Sequence, residues 1–222
     1  MATQQSSALH DAIAEYRELK EYDDCVKCVN RIKNIIREHP ECINEKHAIQ
    51  SSILLRSLSI LSEHYNWVKG DVEYSEEHEE HTKKYELTHN LLDFLLEYGA
   101  DVNCATRLGS TPLIMTHDPM AIEKLIAHGA DVYTGQYGGS ILYYFAMIRD
   151  VQVIDKLMEL PLDHQRMITP QNGRTERPLD VYLRSCRNHG SDPIKRIVEY
   201  LQTGNGRATR GSVTKRALPT IN

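Results

Sequence analysis

Long apolar runs are missing from this 222-residue chain. No stretch approaches the roughly 18 residues that a transmembrane helix needs. The first residues, "MATQQSSALHDAIAEYRELK", also lack the basic region and apolar core of a secretory signal. We therefore expect a cytoplasmic protein with no transmembrane segment. The composition, 41% hydrophobic and 26% charged, is typical of a chain that can bury a core.

Sequence signatures of common enzymes are missing as well. The chain contains no Gly-x-Ser-x-Gly, no phosphate-binding Gly-x-x-x-x-Gly-Lys, and no kinase or dinucleotide fingerprint. We predict a non-catalytic protein that needs no cofactor. One alternative stays open, because 5 Cys and 11 His offer many combinations: an unrecognised hydrolase built on a Cys or Ser nucleophile and a distant His.

Cysteines are too few and too scattered for a secreted disulfide scaffold. Their odd number, five, favours reduced thiols. Cys25 and Cys28 form a CxxC, but they fall within an apparent helix and no second pair follows. "HEEH" at 78–81 places its histidines three residues apart, whereas the zinc-protease helix needs four. We predict no metal site.

A repeated phrase is what the chain does contain. "GADVN" begins at Gly99 and "GADVY" begins at Gly129, each before a segment with an apolar helical pattern. Alignment on 102–114 finds further copies at 43–55 and 132–144, and weaker ones at 7–13 and 172–183. Each copy is followed by a second apolar-periodic segment, which predicts a helix, a turn and a helix five times.

The phrases have the chemistry of helix ends. Ser52, Thr111 and Ser140 stand where a side chain accepts a free backbone N–H, and Pro112 follows where no donor is needed. Gly99, Gly129 and Gly204 stand where second helices end.

These motifs resemble the ankyrin repeat, a family whose unit is a hairpin finger followed by two antiparallel helices. The resemblance covers about residues 7–204 and rests on "GADVN", "GSTPLI", "SALHDAI" and "GADVY". The histidine that usually follows Pro-Leu survives only as His10. The resemblance implies an all-α ankyrin-repeat solenoid of about five irregular helix-turn-helix repeats with short hairpin fingers.

The array is irregular. Ser7, Ser52, Thr111 and Ser140 are spaced by 45, 59 and 29 residues, against a regular unit of about 33. We place the array at 1–204, with repeats at about 7–44, 45–103, 104–133, 134–163 and 164–204, and a flexible basic tail at 205–222.

Two repeats depart most from the regular unit. In the second, helices at about 53–66 and 88–98 flank an acidic insert, 67–87, which we interpret as a solvated excursion; the alternative is a docking segment for a basic partner. In the third, the first helix is unusually short, and Asp118 and Pro119 begin the next helix.

Function is expected at positions that stacking leaves uncovered. The resemblance implies a protein-protein interaction scaffold, a monomer, that binds another protein through the concave surface of the fingers and first helices. Tyr and Arg side chains often carry interface energy. The predicted partner-binding residues are Arg56, Arg107, Leu108, Met115, Tyr133, Gln136, Tyr137 and Tyr144.

Charge is divided unevenly along the chain. Residues 1–163 carry 15 Lys and Arg against 27 Asp and Glu, whereas residues 164–222 carry 11 against 4. An alternative function is therefore binding of nucleic acid or another acidic surface through the basic C-terminal third, with contacts from Arg207, Arg210, Lys215 and Arg216. Degenerate repeats with one long insertion also resemble ankyrin proteins that intracellular bacteria and large viruses deliver into host cells as effectors.

Overall fold

The computed structural model describes residues 2–45, 52–70, 75–133, 139–170 and 176–203, and regular structure in these segments is helical throughout. The all-α prediction is confirmed. The elements are α1 (Ala2–Glu18), α2 (Tyr22–Glu38), a 3-10 turn (Pro40–Asn44), α3 (Ile53–Lys69), α4 (Glu76–Glu97), α5 (Pro112–Met115), α6 (Pro119–Ala127), α7 (Ile141–Ile148), α8 (Val151–Glu159), α9 (His164–Ile168), α10 (Pro178–Asn188) and α11 (Lys195–Thr203).

Ser52 and Ser140 cap α3 and α7, as the sequence predicts, whereas Thr111, the third predicted cap, makes no side-chain cap bond at the start of α5. Ser52 Oγ accepts the backbone N–H of Leu55, and Ser140 Oγ accepts that of Tyr143, both at 3.3 Å. These bonds satisfy donors that a helix start leaves without an intrahelical acceptor. α5 and α10 begin with a proline instead, whose missing N–H costs nothing at the first helical position.

The helices pack in two rows. The first row consists of α1, α3, α5, α7 and α10, and each member contacts the next. The second row consists of α2, α4, α6, α8 and α11, whose members also contact in order. Each first-row helix contacts the second-row helix that follows it in the chain. A pair of short helices cannot bury its apolar face alone, so contacts between pairs complete the core.

The core lies between the two rows. Leu58 of α3, Leu95 of α4, Leu125 of α6 and Leu157 of α8 each have 0% of their surface exposed. Burying one such side chain contributes about 1.5–3 kcal/mol relative to leaving it in water.

α5 is the shortest helix of the first row. It has four residues, whereas α3 has 17 and α7 has eight. The next helix, α6, begins soon afterwards at Pro119. Asp118 caps its start, because Asp118 Oδ1 accepts the backbone N–H of Met120 at 2.9 Å. The short first helix and the start at Asp118 and Pro119 agree with the sequence prediction.

The predicted start of α4 is wrong. The sequence suggested a helix from about residue 88, after a solvated acidic excursion, whereas α4 begins at Glu76. Ser75 Oγ accepts the backbone N–H of His78 at 3.2 Å, and acidic residues occupy the first turn. Negative charge is favourable there because backbone N–H groups point outward at a helix start. The acidic composition therefore marks a helix start.

Lys84 fixes this extension of α4 against α1. Its residue surface is 7% exposed, its Nζ donates to the backbone carbonyl of Leu19 at 3.3 Å and to that of Lys20, and Glu80 pairs with it at 2.5 Å. One ammonium group thus donates hydrogen bonds to two carbonyl groups that directly follow α1, where a helix end leaves carbonyl groups without an intrahelical N–H donor.

We expect Lys84→Ala to lower the free energy of unfolding by about 1–3 kcal/mol, because carbonyl groups next to α1 lose their donor. Urea denaturation followed by circular dichroism measures this change. Lys83→Ala is the matched control: its side chain is 51% exposed and pairs with Glu79 at the surface, so we expect less than about 0.5 kcal/mol. Equal losses in the two variants would contradict the role of Lys84 in holding α4 against α1.

Within the described residues, no helix combines the length and the apolar character that crossing a bilayer requires.

Candidate functional site

The loops that precede α5 and α7 begin with the same geometry. The first begins at Gly99 (φ +81°) and the second at Gly129 (φ +88°), both in the left-handed region that favours glycine. The next residue in each loop, an alanine, donates its backbone N–H at 3.0 Å to a leucine carbonyl of the preceding helix. The repeated phrase therefore encodes a repeated chain reversal.

An asparagine links each of these loops to its neighbour. Asn44 Nδ2 donates to the carbonyl of Gly99 at 3.0 Å, and its Oδ1 accepts the backbone N–H of Asp101 at 2.7 Å. Asn103 makes the same two bonds to the following loop, at 3.1 Å to the Gly129 carbonyl and at 2.8 Å to an aspartate N–H. These side chains fix the spacing between adjacent loops, so residues on the loops are held at defined positions.

Arg107 and Leu108 lie at the tip of the loop before α5. Thr106 and Ser110 close the turn: the N–H of Thr106 donates to the carbonyl of Ser110 at 3.0 Å, and the N–H of Ser110 donates to Thr106 Oγ1 at 3.1 Å. Gly109 adopts a φ of +80°, which the turn requires. Leu108 is 81% exposed on this hydrogen-bonded turn.

Arg56 and Met115 also lie in the first row, where both contact neighbouring helices. Arg56 Nη1 donates to the carbonyl of His10 in α1 at 3.3 Å, and the carbonyl of Met115 accepts the Ser62 hydroxyl of α3 at 3.2 Å. Both predicted residues are half-buried. The Arg56 guanidinium already makes one hydrogen bond within the fold.

Tyr133 is half-buried, and its side chain contacts Asp163 and Arg166 at the start of α9. The Arg166 guanidinium lies 3.9 Å from the centre of its ring, and its hydroxyl accepts the backbone N–H of Asp163 at 3.3 Å. Gln136 and Tyr137, which the sequence placed beside it, lie outside the described residues.

Tyr144 lines a cleft of about 550 Å³ between α3, α7 and the start of α8. Here α5 ends at Met115 while α3 continues to Lys69, and Lys69 lines the cleft together with Tyr144 of α7. A predicted residue therefore lines a cavity that also includes His117, two residues after the end of the short α5. The lining is formed by Lys69, His117, Tyr144, Ile148, Arg149, Asp150, Val151 and Gln152.

Hydrogen bonds fix two walls of this cleft. Tyr65 donates its hydroxyl to Gln152 Oε1, which joins α3 to α8. Burial raises the pKa of Tyr65 to about 12, so the hydroxyl keeps its proton at neutral pH. His117 Nδ1 lies 2.8 Å from Asp150 Oδ2, and Asp150 Oδ1 accepts a backbone N–H at the start of α8.

Sequence reasoning missed several cleft residues, notably Lys69, His117 and Arg149. Lys69 was assigned to the acidic insert, and His117 to the shortened turn. A signal was present for Arg149, because it stands at the end of a helix where other helices of this chain place glycine. The periodic pattern alone does not show that a helix end faces a cavity.

The CxxC cysteines are buried within the α1–α2 pair. Cys28 Sγ donates to the carbonyl of Ala12 at 3.2 Å, and Cys25 Sγ lies 3.8 Å from the carbonyl of Leu19. Burial raises the pKa of both thiols, which opposes the thiolate that a nucleophile or zinc ligand requires. Among the residues described, no group of three or more His, Cys, Asp and Glu side chains could hold a metal ion.

A second cleft, of about 680 Å³, lies between the starts of α2 and α4 and is mainly acidic. Lysines neutralise part of this charge: Lys27 pairs with Asp24 and Lys83 pairs with Glu79, each at 2.7 Å. Its remaining acidic residues are Glu21, Asp23, Glu76 and Glu80, of which Glu80 pairs with Lys84.

Within the described part of the basic C-terminal third, Arg177, Arg184 and Arg196 form ion pairs. Arg177 pairs with Asp180 at 3.1 Å, and Arg184 and Arg196 pair with Glu176 and Asp155. The predicted anion-binding residues Arg207, Arg210, Lys215 and Arg216 lie outside the described residues.

No protein-family model matches the chain, and no curated protein matches it significantly.

Proposed function

We propose that the chain is a non-catalytic, ankyrin-type repeat scaffold that binds another protein through the first-row helices and the loops before them. The repeated loops at Gly99 and Gly129, the asparagine bridges between loops and the two rows of helices support this proposal. A loop followed by two helices is the unit that the sequence resembles, and stacked units present a long surface on which contacts can be changed without changing the core.

The turn at residues 106–110 is the observation that carries the proposal. Its backbone is hydrogen-bonded, yet it holds Leu108 with 81% of its surface exposed and places Arg107 beside it. A contact residue that is already ordered loses little entropy on binding, and arginine is enriched among residues that dominate interface energy. Tyr144 and Ile148, in the cleft of the same row, extend the surface.

Affinity capture from a lysate of the source cell tests the proposal. We expect proteins retained by the unchanged chain to be reduced at least about tenfold by Leu108→Asp, because burying a new carboxylate at the contact is unfavourable. The matched control is Met120→Asp on α6, since Met120 is also exposed, at 50%, but lies in the second row. Circular dichroism of both variants verifies folding.

The two variants separate the possible results. Loss with Leu108→Asp and retention with Met120→Asp support binding through the loops. Equal retention by both variants would show that this surface does not bind the captured proteins, and equal loss would point to a general effect of the added charge.

A further inference from the structure

We propose that the cleft between α3, α7 and α8 binds a segment of the partner protein in which a carboxylate side chain lies next to an aliphatic one. This inference rests on the proposed function and names the chemistry of the partner at one part of its surface. Backbone conformation, charge and the apolar lining of the cleft lead to it.

Arg149 has an unusual backbone conformation. Its φ of +60° and ψ of +35° make it the one non-glycine residue with a positive φ in the described part of the chain. The other positive-φ positions there, such as Gly99 and Gly129, are glycines, which adopt this conformation without strain. A side chain kept where glycine would fit better is a sign of function, because strained residues concentrate at binding sites.

The charge of Arg149 is not matched within the fold. Its Nη1 donates to Ser191 Oγ at 2.6 Å, its Nε is buried without a hydrogen-bond partner, and no carboxylate of the described residues pairs with it. Lys69, on the opposite wall, lies 5.7 Å from the Tyr65 ring centre and likewise forms no ion pair with a described residue. Arg149 and Lys69 both belong to the lining of this cleft.

The acid of the cleft, Asp150, forms no ion pair with either cation. Both oxygens of Asp150 are engaged, Oδ2 with His117 and Oδ1 with the backbone of α8, and its side chain is 9% exposed. A carboxylate supplied from outside can therefore pair with Arg149, for which a guanidinium has suitable geometry.

Apolar groups lie beside the two cations. Ile148 is 37% exposed, and Val151 and Tyr144 are half-buried on the same lining. An aliphatic side chain next to the carboxylate covers them, whereas a phosphate backbone offers only charge. These groups favour an acidic, aliphatic peptide segment over nucleic acid, and the like charge of Arg207, Arg210, Lys215 and Arg216 disfavours residues 205–222 of this chain.

Isolated peptides test the cleft without the partner. The probes are the capped pentapeptide Gly-Asp-Leu-Asp-Gly, the same peptide with both aspartates replaced by asparagine, and a five-nucleotide oligothymidylate. We expect saturable NMR shifts of the Lys69, Ile148 and Gln152 amides with the acidic peptide and at least tenfold weaker binding of the other two probes. Equal binding of the asparagine peptide, or tighter binding of the oligonucleotide, would overturn the proposal.

Arg149→Gly separates binding from folding. Because glycine relieves the backbone conformation, we expect a Tm no lower than that of the unchanged protein, together with at least tenfold weaker binding of the acidic peptide. Ser191→Ala, which removes the internal partner of Arg149, is expected to retain binding within about twofold. Full binding by Arg149→Gly, or the same loss in Ser191→Ala, would refute a direct contact between Arg149 and the peptide.

These results are independent of the capture experiment. Peptide binding fails and capture remains sensitive to Leu108→Asp if only this inference is wrong. Peptide binding succeeds and capture is insensitive to that variant if the loop surface is not the partner site.

Discussion

We expect Asp118→Ala to lower the free energy of unfolding by about 3–5 kcal/mol, the largest loss from any single polar substitution in this chain. Asp118 is 1% exposed at the start of α6. Its Oδ1 accepts the N–H of Met120 at 2.9 Å, and its Oδ2 lies 2.6 Å from His89 Nε2 and 3.1 Å from the Tyr85 hydroxyl. Removing this carboxylate deletes a helix cap, leaves the half-buried Tyr85 hydroxyl without its acceptor, and removes the carboxylate that lies beside the buried His89 ring.

The environment of Tyr85 shows how strongly this site is buried. Burial, followed by the nearby charge of Asp118, raises the pKa of the Tyr85 hydroxyl well above its usual range. The hydroxyl therefore remains a donor at any pH at which the protein is studied, and it needs the acceptor that Asp118 supplies.

Urea denaturation at pH 7 measures the loss, with two control variants. Asp118→Asn keeps an oxygen that can cap α6 but removes the charge, so we expect an intermediate loss. Asp163→Ala removes the exposed cap of α9, a single 3.1 Å bond to the N–H of Arg166, and should cost about 1 kcal/mol. If Asp118→Ala costs no more than Asp163→Ala, the contacts to His89 and Tyr85 do not contribute to stability.

The same contacts determine where the cleft lies. Tyr85 and His89 belong to α4. Their contacts to Asp118 therefore hold the start of α6 against α4, directly after α5 ends. The first-row helix at this point, α5, has only four residues, and Lys69 of α3 lines the cleft together with Tyr144 and Ile148 of α7. Asp118 thus connects a short sequence motif, "HDP", to the shape of a candidate binding site.

The loops and helix starts could be predicted because local chemistry determines them. Gly99 and Gly129 are needed for positive φ, Ser52 and Ser140 for a cap, and the alignment of Asn103 with an earlier asparagine reflects equivalent bonds between loops. These features depend on a few neighbouring residues, which a repeated phrase displays directly.

The start of α4 and the cleft could not be predicted in this way. Lys84 is a charged residue in the sequence, yet in the structure it is buried and donates to the backbone carbonyl groups of Leu19 and Lys20, which follow α1. The cleft depends on the relative lengths of α3, α5 and α7, which are known only once the helices are placed side by side. Tyr133 was expected to be available to a partner, but Arg166 covers one face of its ring.

Acid should weaken the fold through the histidine pair between α3 and α4. His64 Nδ1 and His81 Nδ1 are 3.0 Å apart, so one ring must donate and the other must accept. Burial, with smaller contributions from His81 and Lys84, lowers the pKa of His64 to about 4, while Glu80 opposes the shift; burial also lowers the pKa of His81. Protonation of both rings would remove the acceptor and place two cations together.

The direction of the pH effect follows from this lowered pKa. In the unfolded chain His64 has an ordinary pKa of about 6.5, so between pH 6.5 and 4 the unfolded state binds more protons than the folded state. The contribution to stability is therefore complete above pH 6.5 and is lost as the pH falls toward 4. If the whole pKa difference between the unfolded and folded states acted on stability, the loss in the free energy of unfolding would be about 3 kcal/mol. Partial exposure of the ring reduces the expected loss to about 1–2 kcal/mol.

Trp67, the single tryptophan of the chain, reports on this pair directly. Its ring stacks on His81, with 4.5 Å between ring centres and 5° between planes, so its fluorescence should follow changes at His81. Urea titrations of the unchanged protein and His64→Phe from pH 7 to 4.5 compare the fold with and without the histidine pair, since the carboxylates are the same in both proteins. The unchanged protein should lose about 1–2 kcal/mol more than the variant; parallel losses would show that His64 has an ordinary pKa.

Because α3 continues from His64 to Lys69, weakening this pair would also loosen one wall of the cleft.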